Sequence, residues 1–443
     1  MIPRRRPDAP LRRLDSRVSR RGLLGAGVLA GVLAASGVPL QARARGGVLR
    51  LAVARPLPQG PGWAEAPAAL GPGAVYDTLT EIGPTGELSG ELAQSWEAAP
   101  GARAWFVALR PGVRFHDGTP LRASDVIASL ERHRRGPAAW ALSRIERIEP
   151  QGPQGLRIEL HEGDPDLPFL LADPALVIGP EGRLDGVGTG LYRVAETQPE
   201  DRLRLDRVPS HWKDGRAGWF DAIEALHRPA PRDRLEAVVA GEAHVTGPLP
   251  PALLEEARAA GLGVTAVQGN RQLHVTIRRR ADGRFHELLR QGVDRAALAA
   301  LHGGTPAADH PLGPLHPALS DLPPPPLDPE AARALQSVEL RFTTWDGCPT
   351  EDATFRRALA GPWAAIRRHP DLLRALASAR ATDGPERAAH YAGAQAVFAR
   401  LAHVTVAAHV PAVTVHARAL AHDAVSPLAP LDGGRLAERW WFA

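Results

Sequence analysis

Trp345-Asp346 carries the plainest binding chemistry in this 443-residue chain. An aromatic face beside a carboxylate suits a cation such as an amine. The pair follows a segment, 338–342, that reads as a strand, and it also reads as a loop Trp next to a turn Asp. Trp63, Tyr76 and Asn270 join it as candidate ligand contacts by position alone, with a structural role open for each. Arg278, Arg279 and Arg280 offer either an anion patch or a solvated strand end. His403, His409, His416 and His422 recur in β-like sequence at spacings of six and seven, which sends some of them to opposite faces, so no metal site is expected. Asp164 and Asp166 sit among prolines and read as loop or turn-cap residues.

The usual catalytic sets are missing. There is no G-x-S-x-G, no H-E-x-x-H and no pair of cysteines, since Cys348 is alone. Lys213, the only lysine, follows Trp212, which excludes a phosphate-binding Gly-Lys-Ser/Thr loop. Neither an enzyme, a cofactor nor an internal disulfide is expected.

Charge needs dividing before it is interpreted. Residues 1–44 hold nine arginines and two aspartates, so of 53 basic and 49 acidic side chains 44 and 47 remain, a balance of −3. The basic excess lies in a leader, and no nucleic-acid partner is expected. Ser19-Arg20-Arg21-Gly22-Leu23-Leu24 has the form of a twin-arginine export motif, and an apolar, Gly- and Ala-rich stretch runs from Gly22 to Leu40. Ala42-Arg43-Ala44 fits a small-x-small cleavage site, so export to the periplasm with cleavage after Ala44 is expected.

The elements that must position the candidate residues are organised around residues 92–130. Trp105-Phe106-Val107-Ala108-Leu109-Arg110 predicts a buried strand, Pro111-Gly112 and Asp117-Gly118 predict turns, and Val113-Arg114-Phe115 alternates like a half-buried strand. Ser124 and Asp125 open a helix whose apolar side carries Val126, Ile127 and Leu130. Gly46 to Val53 alternates as a first strand, residues 234–243 read as a helix ending at glycine, and residues 386–401 as a long helix. Residues 311–329 are too proline-rich for regular structure.

This stretch, LA-x-SWE followed by F-x-x-x-LR-x-GV-x-FHDGTPL-x-A-x-DV, resembles the signature of the family 5 extracellular solute-binding proteins, the peptide, dipeptide, nickel and opine receptors of ABC importers. Gly188-Thr189-Gly190-Leu191-Tyr192 resembles the family's GTGPY, with Leu191 where Pro is usual. His211-Trp212-Lys213-Asp214-Gly215 resembles its YW-x-G turn, and Asp294-Arg295 ends a segment spaced like its AIDR motif.

The resemblance implies an α/β, two-lobed periplasmic-binding-protein type II fold of the large, cluster C-like kind, with a shortened lobe III. Its expected division is 45–60, 161–263 and 416–443 in lobe I, 61–160 in lobe II and 264–415 in lobe III. It also implies a monomer that captures a small solute, possibly a peptide, between lobes and delivers it to ABC permease subunits. Peptide binders of the family often have a Trp and an Asp that meets a ligand amine after the strand that Trp345 and Asp346 follow, although the spacing here departs from theirs and the usual D-Y-x-D-P is absent. A receptor or scaffold of the same fold that binds a protein partner is the alternative.

Overall fold

The computed structural model describes residues 43, 45–198, 201–277, 283–382, 384–401 and 404–443. The leader apart from Arg43, the Arg278–Arg280 run and His403 lie outside them.

Three sheets each organise a region of the chain from residue 45 onward. The first has seven strands in the order Gly263–Val267, Ala412–His416, Val245–Thr246, Val48–Val53, Ala222–His227, Arg202–Arg207 and Tyr192–Gln198. Val48–Val53 lies at its centre, parallel to both neighbours, and Leu49, Leu51, Ala52 and Val53 are buried to both faces, as a central strand requires.

The second sheet is antiparallel, in the order Ala93–Ala98, Ala104–Leu109, Gly155–Leu160 and Ile145–Pro150. Trp105, Val107 and Leu109 point into its core, while Phe106 points out beneath Arg157. The helix Ala123–His133 covers that core with Val126 and Leu130, and the Asp125 carboxylate accepts the Arg122 amide at 2.8 Å as a cap. Val113-Arg114-Phe115 is not a full strand. It closes an isolated bridge from Arg114 to Pro120 around the Asp117-Gly118 turn, where Gly118 takes φ +87° and the Asp117 carboxylate accepts the Thr119 amide.

The third sheet runs Thr305–Pro306, Thr405–His409, Arg271–Ile277 and Leu340–Asp346. The helices Gly283–Gly292, Arg295–His302 and Pro329–Leu335 accompany one face, and Glu351–Ala360, Pro370–Ala381 and Gly384–Leu401 build a second core with Phe355, Trp363 and Phe398.

The chain visits these regions in the order first, second, first, third, first. Val75 and Tyr76 belong to the first core and Leu79 to the second, whereas Leu176 and Ile178 belong to the second core and Val177 and Leu184 to the first. Both crossings are hydrogen-bonded to each other, the Ile178 amide donating to the Asp77 carbonyl at 2.9 Å. They correct the boundaries expected at 60/61 and 160/161, because Trp63, Leu70 and Tyr76 pack into the first core and Leu167, Leu170 and Leu171 into the second. Likewise Val264 to Val267 and Ala412 to Val415 pair within the seven-stranded sheet, not in the third region.

Candidate functional site

A cavity of about 580 Å³ lies where the three regions meet. Its wall comes from segments 64–72 and 426–439 of the first region, 132–140 and 169–175 of the second, and 346–357 of the third. Trp140, Phe169, Leu170, Leu184 and Leu428 give it an apolar body. A mostly apolar concavity with a few fixed charges is the usual form of a small-molecule site.

The charged groups of the wall differ in how far they are already satisfied. Asp346 is occupied: one Arg271 guanidinium nitrogen donates to both of its carboxylate oxygens, at 2.6 and 2.8 Å. Arg435 and Arg439 point back into a buried ionic network, Arg435 to Glu91 and Glu438, Arg439 to Glu81 and Asp432. Arg357 is different. It stands on the helix Glu351–Ala360 with its guanidinium 5.9 Å from the centre of the Trp140 ring. Burial works against its charge, but a hydrogen bond to the Cys348 sulfur and the nearby Asp173 carboxylate hold it protonated. Among the described residues it makes no ion pair within 4.0 Å. Asp173 lies on the same wall and accepts the Ala175 amide at 2.9 Å. Burial pushes the Cys348 thiol up to about 12, so it lines the cavity as an uncharged group.

Of the five candidate ligand contacts, only Asp346 lines this cavity. The strand that was expected to stop at 342 runs on to Asp346, so Trp345 and Asp346 point to opposite faces. Trp345 stacks on His274 with ring centres 6.0 Å apart and meets Trp363 edge-on at 5.5 Å. Trp63 is buried in the first core against Gly186, where a Cβ would approach its ring to 3.1 Å. Tyr76 is buried as well, its hydroxyl accepting the Gly186 amide at 2.6 Å, and burial raises its pKa. Asn270 acts on the cavity indirectly. Its side-chain oxygen accepts the Leu315 amide and its nitrogen donates to the Cys348 carbonyl at 3.3 Å, which fixes the wall segment around Cys348. Arg357, Trp140, Phe169 and Asp173 were not singled out from the sequence. They come from three separate segments, and only the tertiary fold brings them together.

The network behind the wall centres on Lys213. Its ammonium lies 2.6 Å from Glu91, 2.6 Å from Glu438, 3.4 Å from Glu81 and 3.8 Å from Asp77. Burial opposes that charge, but Glu438 and Glu91 hold the lysine protonated. Asp77, Glu91 and Glu438 bring oxygens within 4.8 Å of one another, and the lysine supplies the cation between them. His409, His416 and His422 do not converge: His409 is in the third sheet beside the Leu312 carbonyl, while His416 and His422 flank Trp440 in the first region.

Comparison with known proteins places this arrangement. A family model described as bacterial extracellular solute-binding proteins, family 5 Middle, matches residues 87–337. The chain superposes on a periplasmic binding protein, DppA, from Helicobacter pylori in complex with the peptide STSA, with TM-score 0.74, 16% identity and coverage of 91% of this chain and 99% of that one. A dipeptide binding protein from Pseudoalteromonas sp. SM9913 in complex with Met-Leu gives TM-score 0.74, 16% identity and coverage of 90% and 100%. NikA from Staphylococcus aureus in complex with Ni(L-His)2 gives 0.72, 15%, and coverage of 87% and 97%. The fold is therefore that of the type II periplasmic binding proteins. Among curated sequences, the transcriptional regulator SgrR of Photorhabdus laumondii is 33% identical over 135 residues, 28% of this chain and 24% of its own length. SgrR of Escherichia coli K12 is 36% identical over 128 residues, 27% of this chain and 22% of its own. The chain thus spans about a quarter of the length of the curated relatives it matches.

Proposed function

The chain belongs to the bacterial extracellular solute-binding proteins of family 5, and from that premise we propose that it is the exported, periplasmic receptor of an ABC importer for a small zwitterionic solute of the short-peptide kind. The observation that carries this reading is Arg357, a guanidinium with no carboxylate within 4.0 Å among the described residues, in the wall of a 580 Å³ cavity between the three regions. An arginine held charged in a largely apolar pocket is a ready partner for a ligand carboxylate, because the bidentate pair replaces the hydration both ions lose. Asp173 supplies the opposite charge for an amine, since Asp346 is already taken by Arg271. The cavity volume falls within the range of small-molecule sites, which favours a compact solute over a long peptide. Among the described residues no helix is long and apolar enough to cross a membrane.

The test is thermal unfolding of the full chain against dipeptides, C-terminally amidated dipeptides, free amino acids, neutral sugars and nickel–histidine. A solute at a hundred times its Kd adds about 2.7 kcal/mol of stability. A saturable shift with free dipeptides that disappears on amidation supports the reading. Arg357→Ala should then weaken binding by at least about thirtyfold, the lower end of the cost of leaving a buried charge without its partner. A shift with neutral sugars that Arg357→Ala leaves intact would overturn it.

A second reading, a solute receptor that signals to a protein partner instead of a permease, is favoured by the curated relatives, which are named transcriptional regulators. Solute-stimulated uptake in liposomes holding candidate ABC permease subunits together with this protein separates the two.

A further inference from the structure

The second and third regions share no direct chain connection. Each joins only the first, the second through residues 76–79 and 176–184, the third through the links on either side of Asn270 and Val410. Contact between them is therefore contact between two faces, and rotation about the crossings would separate it. That contact sets four nearly buried charges beside Cys348 and Ala353, which pack against the second core.

Arg144 and Asp164 come from the second region, Asp352 and Arg356 from the helix Glu351–Ala360 of the third. Arg356 reaches Asp164 at 2.6 Å and Arg144 reaches Asp352 at 3.0 Å, both across the junction. The pairs within each region are longer, Arg144 to Asp164 at 3.1 Å and Arg356 to Asp352 at 4.0 Å. All four side chains are nearly buried, the carboxylates at 2% and 4% exposure and both arginines at 11%. Arg356 also donates to the Trp140 and Ala141 carbonyls at 3.2 and 3.0 Å, and the Thr350 hydroxyl donates to Asp166 at 2.7 Å. Trp140, Ala353 and Arg357, beside this cluster, line the cavity.

We propose that this cluster is a closure latch in which two ion pairs, one from each region, exchange partners when the second and third regions meet, so that the latch sets the population of the closed cavity independently of any solute. The symmetry of the cluster supports this. If the regions part, Arg144 keeps Asp164, and Asp352 keeps Arg356 and Arg380, while the only further crossing ion pair among the described residues, Arg380 with the exposed Glu162 at 3.7 Å, is released to solvent, so no buried carboxylate is left alone. A static interface has no need of such fallback partners. The energetics suit a switch as well, because the desolvation of buried ion pairs nearly cancels their attraction. Closing then changes free energy only modestly, and a solute can tip the balance. The latch also positions Arg357, since Arg356 on the same helix turn fixes how closely that turn approaches Trp140.

Solution X-ray scattering of the full chain tests this without a ligand, so its failure is distinct from failure of the solute reading. Arg356→Ala should raise the radius of gyration while near-ultraviolet circular dichroism keeps its folded signature. The charge exchange Asp164→Arg with Arg356→Asp should restore the wild-type radius. Arg147→Ala, which removes an exposed pair with Glu159 inside the second region, serves as the control and should change neither. An unchanged radius in Arg356→Ala would overturn the latch. Loss of the folded signature in both Arg356→Ala and the exchanged variant would also overturn it, since that marks constitutive packing.

Discussion

The first and third regions both bury polar side chains close to the cavity, and they stabilise them in opposite ways. Behind the first region's wall, Lys213, Arg435 and Arg439 are matched against Glu81, Glu91, Glu438 and Asp432, so charge is buried and paired. In the third region His274, His310, His316 and His409 are buried with no carboxylate ion pair among the described residues, and all four are held neutral chiefly by desolvation. Their nitrogens meet neutral groups: His274 meets the Gln272 side chain at 3.1 Å, His316 the Cys348 carbonyl at 3.0 Å and His409 the Leu312 carbonyl at 3.1 Å. Paired charges fail when one member is removed. Neutral imidazoles fail when protons are added. The two regions should therefore answer to different perturbations.

Acid should separate them most. Burial takes His274 and His409 down to about 4 and His310 to about 3, and His316 is lowered too. The sign follows from linkage: the unfolded chain takes up protons below about 6.5 while the folded histidines stay neutral, so stability present above that pH is lost as pH falls toward 4. A single histidine displaced from 6.5 to about 4 costs about 2 kcal/mol by pH 5. Urea unfolding between pH 7.5 and 5 should show a steep loss, and His274→Phe should flatten it. Glu81, held down to about 2 by Arg435 and Lys213 against its own burial, remains charged across this window. The first region carries a smaller share of the same liability at His211, also taken down to about 4 by burial, and at His244 and His416, so hydrogen exchange at pH 5 should rise furthest in the strands Arg271–Ile277 and Thr405–His409 and less in Val48–Val53. Equal loosening of both sheets would contradict the comparison.

Removing one charge should invert the result. Lys213→Met leaves Glu91 and Glu438 to share Arg435 alone and should cost about 3–5 kcal/mol at pH 7 in urea unfolding, with the loss centred on the first region. Part of it should return on acidification, because protonating the stranded carboxylates relieves their repulsion, whereas the wild-type protein only loses stability over that range. A cost under about 1 kcal/mol would mean that the network is not what holds the C-terminal segment against residues 77–91.

Much of this frame was legible because it is local. The strand around Trp105, the Asp117-Gly118 turn and the helix opened by Asp125 each rest on neighbours within a few residues, and period and turn chemistry specify such features. The cavity was not legible. Trp345 and Asp346 read as one aromatic–acid unit only if the strand ends before them, and four more strand residues send them to opposite faces. Asp164 and Asp166 have the local sequence of turn residues, and the Asp166 amide does donate to Asp164. Their other partners, Arg356 and Thr350, stand 192 and 184 positions away. No periodicity records such a pairing, because it arises from the meeting of two regions that fold around different cores.

The smallest expected effect bears on which member of the charged network is surplus. Asp77 is fully buried at the crossing between the first and second regions, one carboxylate oxygen accepting the Thr189 hydroxyl at 2.9 Å and the other without a hydrogen-bond partner. Burial first, then Glu91, raises its pKa well above the usual carboxylate range, and Lys213 at 3.8 Å only partly offsets them. Lys213 is already engaged at 2.6 Å by two other carboxylates, so Asp77 gains least from it and is the group that takes up a proton. Asp77→Asn mimics that protonated form and should change stability at pH 7 by less than about 1 kcal/mol, in the stabilising direction if either. The same substitution at Glu91, which accepts from Lys213, Arg435 and Thr78, should be costly. Urea unfolding of the two variants side by side distinguishes a network in which every charge is needed from one with a single spare proton site. A large loss for Asp77→Asn would show that the carboxylate is ionised and that pairing in the first region extends to every acid within reach of Lys213.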